Sequence, residues 1–374
     1  MDKKTESRLR SPEAAYRGKP FWSWNGDLEE EELLRQIDAM NEMGFGGYFM
    51  HSRTGLITEY LGGKWFRLIR RCAEYGKEKG MESWIYDEDR WPSGTCGGLV
   101  TREHAYRMRF ISEYDSDEAA LACPQVEGIL CRWALRLEEG ELCDAKPVAS
   151  AAEVPAGYTY AVYAEEIFRE GDFYNGETYL DTMNPEAVAA FLHSTLDRYA
   201  EECGELFGKD ILGVFTDEPH RGALFNGFGI SNDNRARMAP YTANLCAAYA
   251  KKYGEELLFP EIYYRKRGQT VNETAAKYID VLDELFTQSF AKQYGDWCRE
   301  HGIKFTGHIL HEDNLSIQTS LSGSMMRFYE YMDYPGIDNL SAHNGCFWAA
   351  IQCASVARQL GKKFVLSELY GCTG

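Results

Sequence analysis

The chain has 374 residues, and its 40 basic and 58 acidic side chains give a formal net charge of −18. The acids are scattered rather than gathered in a tail, which argues against nucleic acid as a partner and for a neutral or polar one. No uninterrupted apolar stretch reaches about 18 residues, and Met1-Asp-Lys-Lys-Thr-Glu-Ser-Arg-Leu-Arg10 has no apolar centre, so no membrane span and no secretion leader is expected and the cytoplasm is the expected location.

Eleven cysteines, dispersed and without a Cys-x-x-Cys pair, read as buried thiols rather than a zinc site or a disulfide framework. The 8 Trp and 24 Tyr are numerous enough either to offer flat apolar faces to a ligand such as a sugar ring or to fill a large α/β core.

No Ser/Pro-rich linker divides the chain, which points to one large domain with an insertion. After an N-terminal extension, residues 1–19, short apolar runs alternate with amphipathic stretches in the manner of repeated β/α units. The first strand is Pro20-Phe-Trp-Ser-Trp-Asn25. A helix follows from Leu28 to Met43, where Leu33, Leu34, Ile37, Met40 and Met43 recur at helical spacing. The second strand is Gly46-Gly-Tyr-Phe-Met-His51, with its helix from Lys64 to Gly80, and the third is Glu82-Ser-Trp-Ile-Tyr-Asp87.

Residues 20–106 thus form the first part of a barrel. The rhythm changes over residues 107–176, where Ile129 to Leu137 and Tyr158 to Glu165 alternate like antiparallel strands and predict a small β insertion. Residues 177–374 return to β/α units: a helix from Pro185 to Phe207, a fourth strand Ile211 to Glu218, and an irregular excursion from Gly222 to Val271 with a helix near Tyr241 to Tyr253. A long helix from Glu273 to His301, a fifth strand Lys304 to Leu310, a sixth Gly336 to His343, a helix Phe347 to Leu360 and a seventh strand Phe364 to Glu368 complete the series. Seven strands predict a (β/α)8 TIM-like barrel that stops before its eighth unit, with a β insertion after strand three. A doubly wound open sheet is the rival, and it lacks the Gly-x-Gly-x-x-Gly turn after its first strand.

Glu218 in Phe-Thr-Asp-Glu-Pro and Glu368 in Val-Leu-Ser-Glu-Leu each stand where a buried strand stops, the position from which barrel enzymes deliver side chains to the mouth. Two converging carboxyls are what glycoside hydrolysis requires: an acid to protonate the departing oxygen and a carboxylate to act as nucleophile or base. Glu218 is the expected acid, since Pro219 ends the strand; Asp217, on the opposite face if the strand persists, would orient its neighbours. A solvated turn at Asp-Glu-Pro and a salt bridge at Glu368 are the plainer readings. Polar residues recur at the other strand ends: Trp24 and Asn25, His51 and Arg53, Asp87 to Arg90 with Trp91, His308 with His311 and Glu312, and Asp338 with His343 and Asn344. These would bind sugar hydroxyls, with Trp24 and Trp91 stacking on the ring. Asp87-Glu-Asp offers three acids to a hard cation, against an Arg90 pair as the simpler account. His308, His311 and Glu312 lack the spacing of a zinc protease helix, so no metal ligand is assigned.

Together, Phe21-Trp-Ser-Trp-Asn-Gly26, Gly44-Phe-Gly-Gly-Tyr-Phe-Met-His-Ser-Arg53, Tyr86-Asp-Glu-Asp-Arg-Trp-Pro-Ser-Gly94, Phe215-Thr-Asp-Glu-Pro219 and Tyr334-Pro-Gly-Ile-Asp338 resemble bacterial glycoside hydrolases akin to the α-L-rhamnosidases, over residues 20 to 374. The resemblance implies a catalytic TIM barrel, followed in full-length members by β-sandwich domains that would lie beyond this sequence. It also implies a carbohydrate substrate, calcium as the one cofactor to consider, inversion of configuration, and Glu218 and Glu368 as matches to strand-end acids of barrel glycosidases. A catalytically silent carbohydrate-binding barrel is the alternative, and a metal-dependent sugar isomerase or lyase using His308 and Glu312 a third reading.

Overall fold

The computed structural model describes residues 3–224, 237–340 and 347–369. Twelve strands are β1 Phe21–Gly26, β2 Gly47–Leu56, β3 Glu82–Tyr86, β4 Arg109–Tyr114, β5 Val126–Glu138, β6 Glu141–Pro147, β7 Thr159–Ile167, β8 Ile211–Asp217, β9 Met238–Tyr241, β10 Lys304–His308, β11 Tyr334–Asn339 and β12 Leu366–Leu369. They build two sheets of a mixed α/β fold. A curled, all-parallel sheet has the order β1-β2-β3-β8-β10-β11-β12, and a separate antiparallel sheet has the order β6-β5-β7-β4-β9. Among the described residues β1 and β12 end the parallel sheet without pairing to each other. No helix there is long and apolar enough to cross a membrane.

The helices form for local reasons. Glu30–Glu42 begins with three glutamates, which suit the positive end of a helix, and buries Leu33, Ile37 and Met40. Its predicted last apolar residue, Met43, is exposed because the helix stops at Glu42. Gly63–Glu78 buries Trp65, Phe66, Leu68, Ile69 and Cys72. Pro185–Leu192 starts with Pro in its first turn behind Asn184, whose side chain accepts from the N–H groups of Glu186 and Ala187. The long helix over Glu273 to His301 is one run with a π segment, Thr287–Lys292, in its middle.

Alternation along the parallel strands separates two cores. Phe49, Trp84, Tyr86 and Phe215, with Phe21, Tyr334 and Leu366, fill the inside of the curl. Trp22, Trp24, Tyr48, Met50, Ile85, Val214 and Phe305 face outward and pack under the helices.

Two expectations change. The excursion from Gly222 to Val271 contributes β9, which pairs with β4 and so joins the inserted sheet. Its Met-Ala-Pro-Tyr sequence does not read as a strand, but Pro240 is tolerated because β9 is an edge. The thiols are also less uniform than predicted: Cys72, Cys96, Cys203, Cys298 and Cys353 are buried, whereas Cys246 is exposed.

Candidate active site

Register sets the site. Asp217 of β8 pairs with His308 of β10, and Asp338 of β11 pairs with Glu368 of β12, so four chemistry-bearing residues stand at the carboxyl ends of adjacent strands. Continued alternation would send Glu218 away from Asp217. Instead β8 ends at Asp217, and Glu218 takes a left-handed backbone with φ of 50°, an uncommon conformation for a residue with a side chain. That turn brings both carboxyls to one imidazole.

His308 has no exposed side-chain surface and lies among four acids. Its Nε2 is 2.9 Å from Oε2 of Glu368 and 3.6 Å from Oδ1 of Asp217; its Nδ1 is 3.7 Å from Oε1 of Glu312 and 3.9 Å from Oε1 of Glu218. With about 2.2 Å between the imidazole nitrogens, these contacts hold the nearest oxygens of Glu218 and Glu368 within about 9 Å of each other.

Burial and like charge perturb the whole group. Burial alone would drive the His308 pKa down, but Glu312, Glu368, Asp217 and Glu218 outweigh it and raise it well above the ordinary value, which favours the protonated ring. Burial, reinforced by Asp217, Glu312 and Asp338 against the opposing His308, raises Glu218 well above the carboxylate range. Burial lifts Asp217 to about 6 against the pull of His308, with Glu368 adding to the rise and the Tyr86 hydroxyl opposing it from 2.6 Å. Glu312 is lifted to about 7 and Asp338 to about 6, again chiefly by burial.

The remaining predicted residues divide. His51 faces the interior with its ring 3.6 Å from that of Tyr86; both its nitrogens are buried without a hydrogen-bond partner among the described residues, and burial pushes its pKa down to about 3. Arg53 is exposed and lines, with Glu368, Phe21 and Phe215, a cavity of about 850 Å³. Asn25 is exposed on edge strand β1. Glu312 is buried and accepts from the Tyr329 hydroxyl and the Asp338 N–H.

Trp91 reaches the site, but with its edge: its Nε1 donates to Oε2 of Glu218 at 2.5 Å. Trp24 does not offer a sugar platform. It is 1% exposed and wedged between Trp22 and Trp65 on the helix side of β1. Asp87 is likewise withdrawn, because the parity that turns Tyr86 inward turns Asp87 outward, where it accepts from Ser93 and from the Tyr294 hydroxyl. His343 and Asn344 lie outside the described residues.

Two participants were missed by sequence reasoning, and a third was noted in another role. Tyr86, which bonds Asp217, was legible from its spacing of two from Trp84. Asn339, whose Oδ1 is buried without a hydrogen-bond partner among the described residues, had no signal. Glu88, noted in the sequence only as one of three adjacent acids, organises its own loop: its Oε1 accepts from the N–H of Asp89 and Gly97, and its Oε2 from those of Gly94, Thr95 and Cys96. Burial raises its pKa and the N–H donors oppose the rise. The Thr95 hydroxyl also reaches Oε2, at 3.3 Å, and together these donors favour the carboxylate against its burial.

Two sets of ligand atoms lie within 4.8 Å of one another among the described residues: Asp217, His308 and Glu368, and Glu218, His308 and Asp338. Neither suits calcium, which takes about six to eight oxygens, since each offers two carboxylates and one imidazole nitrogen. Asp87, Glu88 and Asp89 do not suit it either, their oxygens being engaged by Ser93 and Tyr294, by backbone N–H groups, and by Ser52, Arg90 and Asn175. The Arg90 to Asp89 pair, at 3.0 Å, is the one expected from the sequence.

No protein-family model and no curated protein matches the chain. Among solved structures, a chitobiase from Flavobacterium johnsoniae aligns with a TM-score of 0.40 at 12% identity over 94% of this chain and 38% of that one. A rhamnosidase from Novosphingobium sp. PP1Y aligns with a TM-score of 0.64 at 12% identity, over 97% of this chain and 52% of that one. The chain therefore spans about half the length of that rhamnosidase and shares its fold over that part.

Proposed function

We propose that this chain is a glycoside hydrolase working through Glu218 and Glu368, on a rhamnoside-like substrate. The observation that carries the proposal is the meeting of two carboxyls, from the fourth and seventh parallel strands, on the single buried imidazole of His308. We read the curled sheet as the first seven strands of a (β/α)8 barrel, whose strand ends four and seven face each other across the mouth.

Glu218, held protonated by its burial and its acidic neighbours, gives its proton to the glycosidic oxygen as the bond from that oxygen to the anomeric carbon breaks. The Glu368 carboxylate, oriented by the His308 hydrogen bond, then either bonds to the anomeric carbon or takes a proton from a water whose oxygen does so. In the first route a water, giving its proton to the now ionised Glu218, then attacks the anomeric carbon and displaces the Glu368 carboxylate; either route ends in one new hydroxyl on the sugar and one on the leaving group. His308 itself is too deeply buried to touch the sugar and acts by positioning Glu368. The unpartnered His51 nitrogens and the Oδ1 atoms of Asp338 and Asn339 supply buried hydrogen-bonding groups that hydroxyls would satisfy. This scheme needs no cofactor.

The test is a panel of nitrophenyl glycosides, beginning with the α-L-rhamnoside. Release of nitrophenol by the wild type, abolished in both Glu218→Gln and Glu368→Gln, supports the proposal. Binding of the same sugars without release by the wild type would instead establish a silent carbohydrate-binding protein.

A further inference from the structure

The Asp87-Glu-Asp-Arg-Trp-Pro-Ser-Gly94 motif is unused by the chemistry above, yet it is the most heavily bonded loop beside the site. Asp87 accepts from Ser93, and the Ser93 Oγ also accepts from the Asp217 N–H at 2.8 Å, while the Ser93 N–H donates to the Asp217 carbonyl at 2.8 Å. The Tyr179 hydroxyl holds the Ser93 carbonyl at 2.7 Å. Glu88 gathers five backbone N–H groups of the same loop onto one carboxylate. The loop is thereby bolted to the residue that precedes Glu218.

From this anchored loop Trp91 projects between Phe173, whose ring centroid is 5.6 Å away, and Oε2 of Glu218. The other oxygen, Oε1, is 3.9 Å from Nδ1 of His308, beyond hydrogen-bond reach. A carboxylic acid accepts better at its carbonyl oxygen than at its hydroxyl oxygen, so an N–H donor on Oε2 assigns the proton to Oε1.

We infer that Trp91 is a positioning residue for the general acid, its indole N–H fixing which oxygen of Glu218 carries the transferable proton, and that the loop organised by Asp87 and Glu88 exists to hold it there. The inference rests on the hydrolase reading and deepens it. It also differs from a stacking role, which would use the face of the ring rather than its N–H.

The test compares Trp91→Phe, which keeps a flat face and loses the N–H, with Glu218→Gln, on phenyl and dinitrophenyl glycosides of the same sugar. A phenolate leaving group needs protonation; a dinitrophenolate does not. Trp91→Phe is expected to lower kcat about 10- to 100-fold on the phenyl glycoside and by about twofold or less on the dinitrophenyl one, following the same leaving-group pattern as Glu218→Gln at smaller amplitude. Equal rates for Trp91→Phe and wild type on the phenyl glycoside, with Glu218→Gln still sensitive to the leaving group, would overturn the role of Trp91 alone. Loss of that sensitivity in Glu218→Gln itself would overturn the general-acid reading and the inference with it. An equal loss on both substrates by Trp91→Phe would overturn the inference, because placing the transferable proton can matter only where the leaving group needs protonation.

Discussion

Replacing Glu88 by Gln puts a number on the loop that supports the acid. The carboxylate accepts two N–H groups on Oε1, from Asp89 and Gly97, and three on Oε2, from Gly94, Thr95 and Cys96. An amide retains one oxygen, which would take the three-donor side, and turns its NH2 toward the remaining two donors. Two charge-assisted bonds are then lost at about 1.5 to 3 kcal/mol each, while the desolvation cost of a buried anion is relieved. The net expectation is a loss of about 2 to 4 kcal/mol, a large share of a stability of about 5 to 15 kcal/mol. Urea unfolding followed by tryptophan fluorescence measures it, provided the slope is unchanged. A loss below about 0.5 kcal/mol would refute the reasoning, because the five donors would then be satisfied without the anion.

Other perturbations have signed outcomes. Asp87, Glu312, Asp217 and Asp338 hold their protons more tightly folded than unfolded, with pKa values raised to about 8, 7, 6 and 6. Their favourable contribution is therefore complete below the ordinary carboxylate range and is lost as pH rises through those values. His308, raised well above 6.5, contributes below that value and loses its contribution at higher pH, so the signs agree and the urea midpoint should fall between pH 5 and pH 8. A midpoint that rises over that interval contradicts the assignment. His308→Gln removes the cation shared by four acids and should cost about 3 to 5 kcal/mol at pH 8, much of it recovered at pH 5 as the acids protonate; equal losses at both pH values count against a charge role. At Gly307, φ is 136° and an added Cβ would lie 2.0 Å from the Thr216 carbonyl oxygen, so Gly307→Ala should destabilise by about 2 kcal/mol or more and displace His308; a thermal midpoint equal to wild type rules that out.

Much of this architecture was legible because apolar strands that end in acids are a strong pattern. Glu218 and Glu368 were readable as strand-end carboxyls for that reason, as was the run of seven parallel strands. Which parity of a strand faces inward was not, since β1 has Phe21 on one face and Trp22 and Trp24 on the other, and either set could fill a core. Trp24 was misplaced on that account. Asp87 was misplaced for a related reason: a polar residue at a strand end was read as facing the mouth, whereas alternation from Trp84 and Tyr86 sends it outward. The pairing of both Asp217 and Glu218 with His308 depends on one left-handed residue, and nothing in Thr-Asp-Glu-Pro announces it. The five donors around Glu88 come from its own loop, Asp89 to Gly97, but they are backbone groups that carry no side-chain signature.

Chemical rescue of Glu368→Ala tests the central claim most directly. If the carboxylate at the end of β12 acts on the anomeric centre together with Glu218, the variant should lose about 10²- to 10⁴-fold on a nitrophenyl glycoside, and sodium azide should restore turnover with a glycosyl azide as product. Release of nitrophenol by Glu368→Ala at the wild-type rate, without azide, would contradict the account.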